Sequence, residues 1–156
     1  MKIIKIIGIV LVSLLIIALI AGKAAGISPL AFNMHDAIYS ENGLALDGYD
    51  PVVLVNNQKA TLGSENFQSE WMDVTWQFES QENLSAFESN PELYMPASGG
   101  YCAFAVGKGF AAPGDPNYSY KSDNGKLYLF SNQDVMDDAI KNMDQVISDA
   151  DANWKN

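Results

Sequence analysis

The amino-acid sequence predicts an α+β fold: a small single domain with an antiparallel sheet, short helices and a long C-terminal helix, preceded by an N-terminal transmembrane or signal helix. Three patterns support this prediction. The chain begins with a long apolar run, its middle alternates short strand-like segments with turn residues, and its end repeats apolar side chains at helical spacing. These patterns are typical of a membrane-crossing or signal helix, of hairpin-linked strands and of an amphipathic helix.

The apolar run near the N-terminus is long enough to cross a bilayer. Residues 6–22 carry no charged side chain, and Lys5 and Lys23 flank them. A helix of about 20 residues spans about 30 Å, which matches the hydrocarbon core of a membrane. Residues 1–25 are therefore predicted to be either an uncleaved membrane anchor or a signal peptide that is removed, although the small residues at 24–26 make a poor cleavage site.

Under both interpretations of the N-terminal segment, the rest of the chain is exported across the membrane. A basic N-terminus stays inside the cell, so the domain is expected on the extracytoplasmic (periplasmic) side of the cell membrane. If the helix is cleaved, the product is a secreted or periplasmic protein instead. The membrane is a predicted partner through this helix.

The charge of the exported part excludes one class of partner. The 156 residues contain nine Lys, no Arg and 19 Asp and Glu, and carry a formal net charge of −10. Beyond Gly26, six Lys stand against all 19 acids, which gives −13. Nucleic-acid binding needs clustered basic side chains, so nucleic acid is not expected as a partner. Such a surface also repels anionic lipid headgroups.

The first half of the exported part predicts a linker at residues 26–43 and a domain at residues 44–156. Within the domain, the apolar run Val52–Val55 and residues 59–62 are expected to form strands. The alternating segment 71–78 predicts another strand, Ser80 is a candidate cap of a following helix, and Asn90-Pro91 opens a further helical turn.

The second half predicts a helix, a hairpin and a final helix. Residues 101–106 follow two glycines and predict a short buried helix, with a buried strand as the alternative. Strands near 118–121 and 126–130 flank Asp123-Asn124-Gly125, which is a strong hairpin signal. Ser131 is the expected helix cap, with Asp134 in a capping-box-like start. From there apolar residues recur at spacings of three and four, which predicts one long helix.

Cys102 is the residue whose chemistry is hardest to replace. A single Cys and a single His exclude an intramolecular disulfide and any multi-thiolate or histidine-cluster site. If Cys102 lies in the first turn of the short helix, the helix dipole favours its thiolate, which binds soft metals and attacks electrophiles. Met95 is the nearest soft co-ligand, and copper(I) accepts such a set; Met34, Met72 and His35 are more remote candidates. The alternative is ordinary packing: a buried Cys102, a packed Met95 and a solvated His35.

Several sequence blocks together resemble the exported YHS-domain proteins of bacteria. The match runs in order over residues 44–154. It comprises G-Y-D-P-V at 48–52, W-Q-F-E-S at 76–80, G-G-Y-C-A-F-A-V at 99–106, G-K-L-Y-L at 125–129 and A-D-A-N-W at 150–154. The chain departs from the usual pattern at Ser98, where the family has Tyr, at Val53–Val55, and at Tyr118, where it has Trp.

The resemblance implies a small α+β domain without an agreed catalytic activity. Related domains are associated with copper or other soft metals, and some exported members carry selenocysteine at the position that Cys102 occupies here. We therefore expect a soft-metal-binding or redox-responsive thiol module centred on Cys102, with Met95 as a second metal ligand. Two alternatives stay open: a thiol peroxidase or oxidoreductase in which peroxide attacks Cys102 and an external thiol resolves it, and a structural or interaction module with Cys102 in its core.

Overall fold

The N-terminal segment forms a single long helix. In the computed structural model, which describes residues 2–24 and 27–154, helix α1 covers Lys2–Ala24. Its stretch Ile4–Ala24 is long and apolar enough to cross a membrane, and none of it is buried against the domain. By length and composition, α1 therefore fits a membrane anchor or a signal sequence.

The rest of the described chain is a mixture of short helices and strands, as the predicted fold class requires. The helices are α2 (Pro51–Asn57), α3 (Gln81–Ser89), α4 (Pro91–Tyr94), α5 (Ala103–Gly107), α6 (Gln133–Ile140) and α7 (Met143–Asn153). The strands are β1 (Ser28–Pro29), β2 (Ser40–Glu41), β3 (Leu44–Ala45), β4 (Ser64–Trp71), β5 (Val74–Phe78), β6 (Phe110–Ala111), β7 (Asp115–Lys121) and β8 (Leu127–Phe130).

The strands pair in three small sheets. One has the order β2-β3-β5-β4, in which β4 and β5 form an antiparallel hairpin and β3 runs parallel to β5. The other two are the antiparallel pairs β1-β6 and β7-β8. The hairpin predicted around Asp123-Asn124-Gly125 is confirmed as β7-β8, and the alternating segment contributes β5, with Met72 and Asp73 in the preceding turn at positive φ.

The strand predicted at Val52–Val55 is wrong, because these residues belong to α2. Asp50 caps this helix through Oδ1, which accepts the amide N–H groups of Val52 at 2.7 Å and Val53 at 3.1 Å. The run is buried on all sides, so its apolar pattern does not distinguish a helix from a strand. The strand predicted at 59–62 is also wrong: Leu62 makes a single bridge to Tyr49, and β4 begins later.

The C-terminal segment is helical as predicted, but it divides into two helices at residues 141–142. Asn132 caps α6, because its side chain accepts the N–H of Val135 at 3.0 Å. Ser131 was expected to do so, yet its hydroxyl donates to the carbonyl of Pro113 at 2.8 Å. The predicted cap of α3 is confirmed, since the Ser80 hydroxyl accepts the N–H of Asn83.

Two apolar clusters form the interior. The first lies between α2, β5 and α3, with Leu54, Trp76 and Phe87 at its centre. The second joins β8 and α5 to the two C-terminal helices, and its buried members include Tyr101, Val106, Tyr128 and Phe130. Both clusters reach the segment around residue 100.

Residues 27–43 pack against the domain in this structure. Ile38 is buried in the first cluster, β1 pairs with β6, and the N–H of Tyr39 donates to the carbonyl of Gly99 at 2.8 Å. The sequence interpretation treats 26–43 as a linker that leads into a domain at 44, and that division stays a prediction. What the structure adds is that residues 27–43 connect α1 to the segment around residue 100.

Candidate functional site

The segment before Cys102 has an unusual backbone. Ser98, Gly99 and Gly100 all have positive φ, at 55°, 60° and 86°. Glycine adopts this region freely, whereas for serine it carries a strain of about 1 kcal/mol. Gly114 packs so closely that a Cβ there would come within 2.5 Å of the Gly100 carbonyl oxygen. The glycine pair thus allows the chain to turn sharply and approach the following loop.

Cys102 ends this segment in the interior of the domain. Its side chain is 1% exposed, its N–H donates to the carbonyl of Ala112 at 2.9 Å, and its carbonyl accepts the N–H of Val106 at 3.0 Å. It also forms a parallel bridge with Leu129. The short helix predicted here is confirmed, but Cys102 is the residue that precedes α5 rather than a member of its first turn. The extended backbone of Cys102 and its pairing with Ala112 and with Leu129 of β8 explain that shift.

Met95 lies at a different kind of place. It packs against the first apolar cluster and lines a surface cavity of about 430 Å³, called the Trp154 cavity here. Residues 2–24 and 27–154 contain no group of three or more His, Cys, Asp or Glu side chains that could hold a metal ion. The roles of Cys102 and Met95 as metal ligands therefore stay predictions, and the burial of Cys102 weighs against them.

The Trp154 cavity is lined by an aromatic side chain and by charged side chains. Its other lining residues include Glu92, Ser98, Lys126 and Asp151. Lys126 pairs with Asp151 at 3.0 Å, and the Tyr128 hydroxyl donates to the same carboxylate at 3.1 Å. The cavity therefore combines an indole face with an ion pair, and both can contact a polar ligand.

Ser98 lines the cavity with a positive φ and a buried hydroxyl. It is 6% exposed, and its hydroxyl has no hydrogen-bond partner within the described ranges. A buried hydroxyl without a partner costs about 1–3 kcal/mol.

We predict that Ser98→Ala raises the free energy of unfolding by about 1 kcal/mol, because the variant removes the unpaired hydroxyl without altering the backbone. Urea denaturation of the full chain in mild detergent measures this change. Ser80→Ala is the matched control and is expected to lose about 1 kcal/mol, since that hydroxyl caps a helix. A loss of stability in Ser98→Ala would show that the hydroxyl makes a stabilising hydrogen bond.

Two tyrosines around the site, Tyr101 and Tyr128, have raised pKa values. Burial, and secondly the charge of Asp151 and its hydrogen bond, raise the pKa of Tyr128 to about 12. Burial, followed by the charge of Asp36, raises the pKa of Tyr101 to about 12. Both phenols therefore stay neutral in the folded protein where the unfolded chain ionises them.

These pKa shifts predict a loss of stability in alkali. Because the folded-state pKa values exceed the ordinary value of 10.0, the contribution is complete below pH 10 and falls as the pH rises to about 12. We expect each tyrosine to account for about 2 kcal/mol of this decrease. Urea midpoints at pH 9 and pH 12 measure this decrease. In the double variant Tyr101→Phe/Tyr128→Phe, the decrease should be much smaller than in the wild type. An equal decrease in the double variant would contradict the assignment.

His35 belongs to an aromatic cluster beside the same segment. Its ring lies 4.9 Å from that of Trp154 and 5.9 Å from that of Tyr101, while the rings of Tyr101 and Trp154 are 5.4 Å apart. Its Nδ1 is buried and has no partner in the described part of the chain. It also lines a cavity of about 500 Å³ with Asn33 and Asn153, called the His35 cavity here. His35 is thus a packed residue, and the expectation that it is a solvated linker histidine is wrong.

Trp154 was missed as a site residue by reasoning from the residues alone. It appears in the sequence only within the closing block of the family resemblance at residues 150–154. The structure shows why it matters, because its ring contacts His35 and Tyr101 and lines the cavity that contains Met95. An aromatic residue at the end of the final amphipathic segment is a weak signal, and only the fold reveals its partners.

Comparison of the chain with family models, with curated proteins and with solved structures finds no match. The likeness to exported YHS-domain proteins therefore depends on the sequence blocks described above, and function has to be argued from the site itself.

Proposed function

We propose that this protein is a membrane-anchored, extracytoplasmic domain of the exported YHS type that acts as an interaction module. In this proposal Cys102 is a core residue, and ligands or partner proteins contact the Trp154 cavity and the His35 cavity. The observation that carries the proposal is the 1% exposure of Cys102. The sequence blocks support the family, and the apolar α1 supports the anchor.

The burial of Cys102 disfavours chemistry at its sulfur. A reactive or metal-binding cysteine sits in a partly exposed, electropositive environment, whereas a buried structural cysteine is inert. The neighbouring backbone is already paired with Ala112 and Leu129, so opening a path to the sulfur requires breaking those contacts. A copper ion, a peroxide molecule or an external thiol would all need that path.

The features that favour an interaction lie at the Trp154 cavity. Ser98, with its strained backbone, and the indole of Trp154 both line this open cavity, and the Lys126–Asp151 pair adds a positive and a negative charge to its lining. Strained backbone and concave, aromatic-lined surfaces are common at binding sites.

Titration with copper(I) separates this proposal from the soft-metal hypothesis. We expect the full chain in detergent to give the same isotherm as Cys102→Ser and Met95→Leu, because the thiol is not accessible. Met72→Leu, at an exposed methionine of a hairpin turn, is the matched control. A one-to-one binding event that disappears in both Cys102→Ser and Met95→Leu would establish the metal site and overturn the proposal.

Site-specific photo-cross-linking tests the interaction itself. A photoreactive amino acid is placed at Glu92 or Asn153, which border the two cavities, and at Met72 as the control. In cells that make the protein, we expect a discrete adduct from the cavity positions, lost in Trp154→Ala and absent at Met72. Equal labelling at all three positions would count against the cavities as the binding surface.

A further inference from the structure

Exposed apolar side chains surround the place where α1 meets the domain. Ile27 is 44% exposed, Phe32 57%, Met34 39% and Phe110 45%. These residues, called the membrane-proximal patch here, lie on two separate segments of the chain. Large apolar side chains gathered on one exposed surface indicate a contact with another apolar phase.

Backbone pairing brings the two segments together next to the helix. The N–H of Ile27 donates to the carbonyl of Gly22 at 2.7 Å, which joins the segment to the last turns of α1. Pro29 then pairs with Phe110 in the β1-β6 sheet, and the N–H of Leu30 donates to the carbonyl of Gly109 at 2.9 Å. The patch therefore has a defined position relative to the anchor.

Met34 indicates how deep this surface lies. It lines a groove with Leu19, Ile20 and Lys23 of α1. Ile20 is four residues before the end of α1, which corresponds to about 6 Å along the helix axis. If α1 crosses the bilayer up to its last turn, Met34 lies below the plane at which the helix leaves the apolar region. Apolar side chains of interfacial segments insert about 5–10 Å into the boundary between headgroups and acyl chains. The depth of Met34 along α1 agrees with this range.

The charge distribution agrees with a lipid-facing surface. The segments 27–35 and 101–114 contain none of the 19 acidic residues, although the exported part as a whole carries −13. The charged side chain that they do contain is Lys108, and Lys23 stands at the end of α1. These segments therefore carry lysine and no carboxylate, and the acidic residue nearest to Met34 in the sequence, Asp36, lines a cavity together with Lys23.

We infer that the membrane-proximal patch inserts into the interface of the bilayer that α1 spans, so that the domain rests on the membrane instead of moving freely above it. The inference depends on the proposed anchor, since a cleaved α1 would leave the patch without its membrane. The occupant is the lipid surface itself. Insertion also limits the orientations of the domain and holds the His35 cavity, which is lined by Leu30 and Gly109 of the same segments, close to the headgroups.

Fluorescence quenching in lipid vesicles tests the inference. The full chain is reconstituted in vesicles of phosphatidylcholine with a minority of phosphatidylglycerol, and an environment-sensitive dye is attached to Phe32→Cys or Phe110→Cys. Met72→Cys is the control, since Met72 is 42% exposed on the turn between β4 and β5. The wild type, treated in the same way, gives the background labelling. Carbonate washing shows separately whether α1 is embedded.

We expect a lipid spin-labelled near its headgroup to quench the dye at positions 32 and 110 by about twofold, with iodide in the water having little effect. At position 72, iodide should quench the dye and the spin-labelled lipid should have little effect. If the protein resists the carbonate wash but iodide quenches the dye at all three positions, the patch does not insert into the bilayer, although α1 still anchors the chain. Protection from both quenchers at 32 and 110 would assign the patch to a protein partner and also overturn insertion. Release by the wash would overturn the anchor and the inference together.

Discussion

Replacing Asp50 by alanine is expected to lower the free energy of unfolding by about 3–5 kcal/mol, the largest effect of any single polar residue in this domain. Asp50 is completely buried, and its two carboxylate oxygens accept four hydrogen bonds. Oδ1 caps α2. Oδ2 accepts the N–H of Glu79 and the side-chain amide of Asn83, each at 2.8 Å.

The size of the effect follows from what the alanine leaves behind. The lost cap alone costs about 1 kcal/mol, and the part-buried donors at Glu79 and Asn83 each lose their acceptor. Because the carboxylate joins α2 to the end of β5 and to α3, its loss also loosens three elements of the first apolar cluster. Urea denaturation of the full chain in detergent, followed by tryptophan fluorescence, measures the change.

Two variants make this prediction specific. Asn132→Ala removes an ordinary helix cap that is not buried, and it should cost about 1 kcal/mol. Asp50→Asn keeps the shape of the side chain but turns an NH₂ group toward existing donors, so an intermediate loss of about 2 kcal/mol is expected. If Asp50→Ala costs no more than Asn132→Ala, the carboxylate is only a cap and does not link the three elements.

Replacing Gly99 by alanine is expected to cost about 3–4 kcal/mol and to detach the segment that leads to α1. A Cβ at this position would fall on the carbonyl oxygen of Ala37, with a ring carbon of Trp154 at 3.3 Å. The carbonyl of Gly99 also accepts the N–H of Tyr39 at 2.8 Å. Because backbone cannot rotate away as a side chain can, the residues around Ala37 would have to move.

The control for Gly99→Ala is Gly109→Ala. Gly109 also has a positive φ, of 87°, but a Cβ there would meet nothing within 4 Å. It should therefore cost only the conformational strain of about 1 kcal/mol. Hydrogen exchange should show faster exchange of the Tyr39 amide in Gly99→Ala and unchanged exchange in Gly109→Ala. Equal effects of the two variants would refute close packing at Ala37.

The fold could be predicted from the sequence wherever a local signal acted alone. The Asp123-Asn124-Gly125 turn and the cap at Ser80 were both predicted and both are present. The apolar run at 52–55 is predicted as a strand but forms a helix, because all four side chains are buried. A continuous apolar run has no spacing that distinguishes a buried helix from a buried strand. Its Asp50-Pro51 start, a favourable cap followed by proline at the first helical position, was the signal that could have corrected it.

The site was harder to predict, because its parts come from distant regions of the chain. Sequence reasoning directed attention to Cys102, whose chemistry is distinctive, and correctly placed a short helix after the glycine pair. Accessibility depends on contacts with Ala112 and Leu129, which no local pattern reveals. The contact between His35 and Trp154 joins residues 119 positions apart, so only the folded chain shows it.

The reaction rate of Cys102 with Ellman's reagent tests the central claim most directly. The full chain is compared under native conditions and in denaturant, with Cys102→Ala as the thiol-free control. A core thiol reacts only when the domain opens, so we predict a native rate at least about a thousandfold below the denatured rate. A native rate within about tenfold of the denatured one would show that the sulfur is accessible, and the proposed structural role of Cys102 would be contradicted.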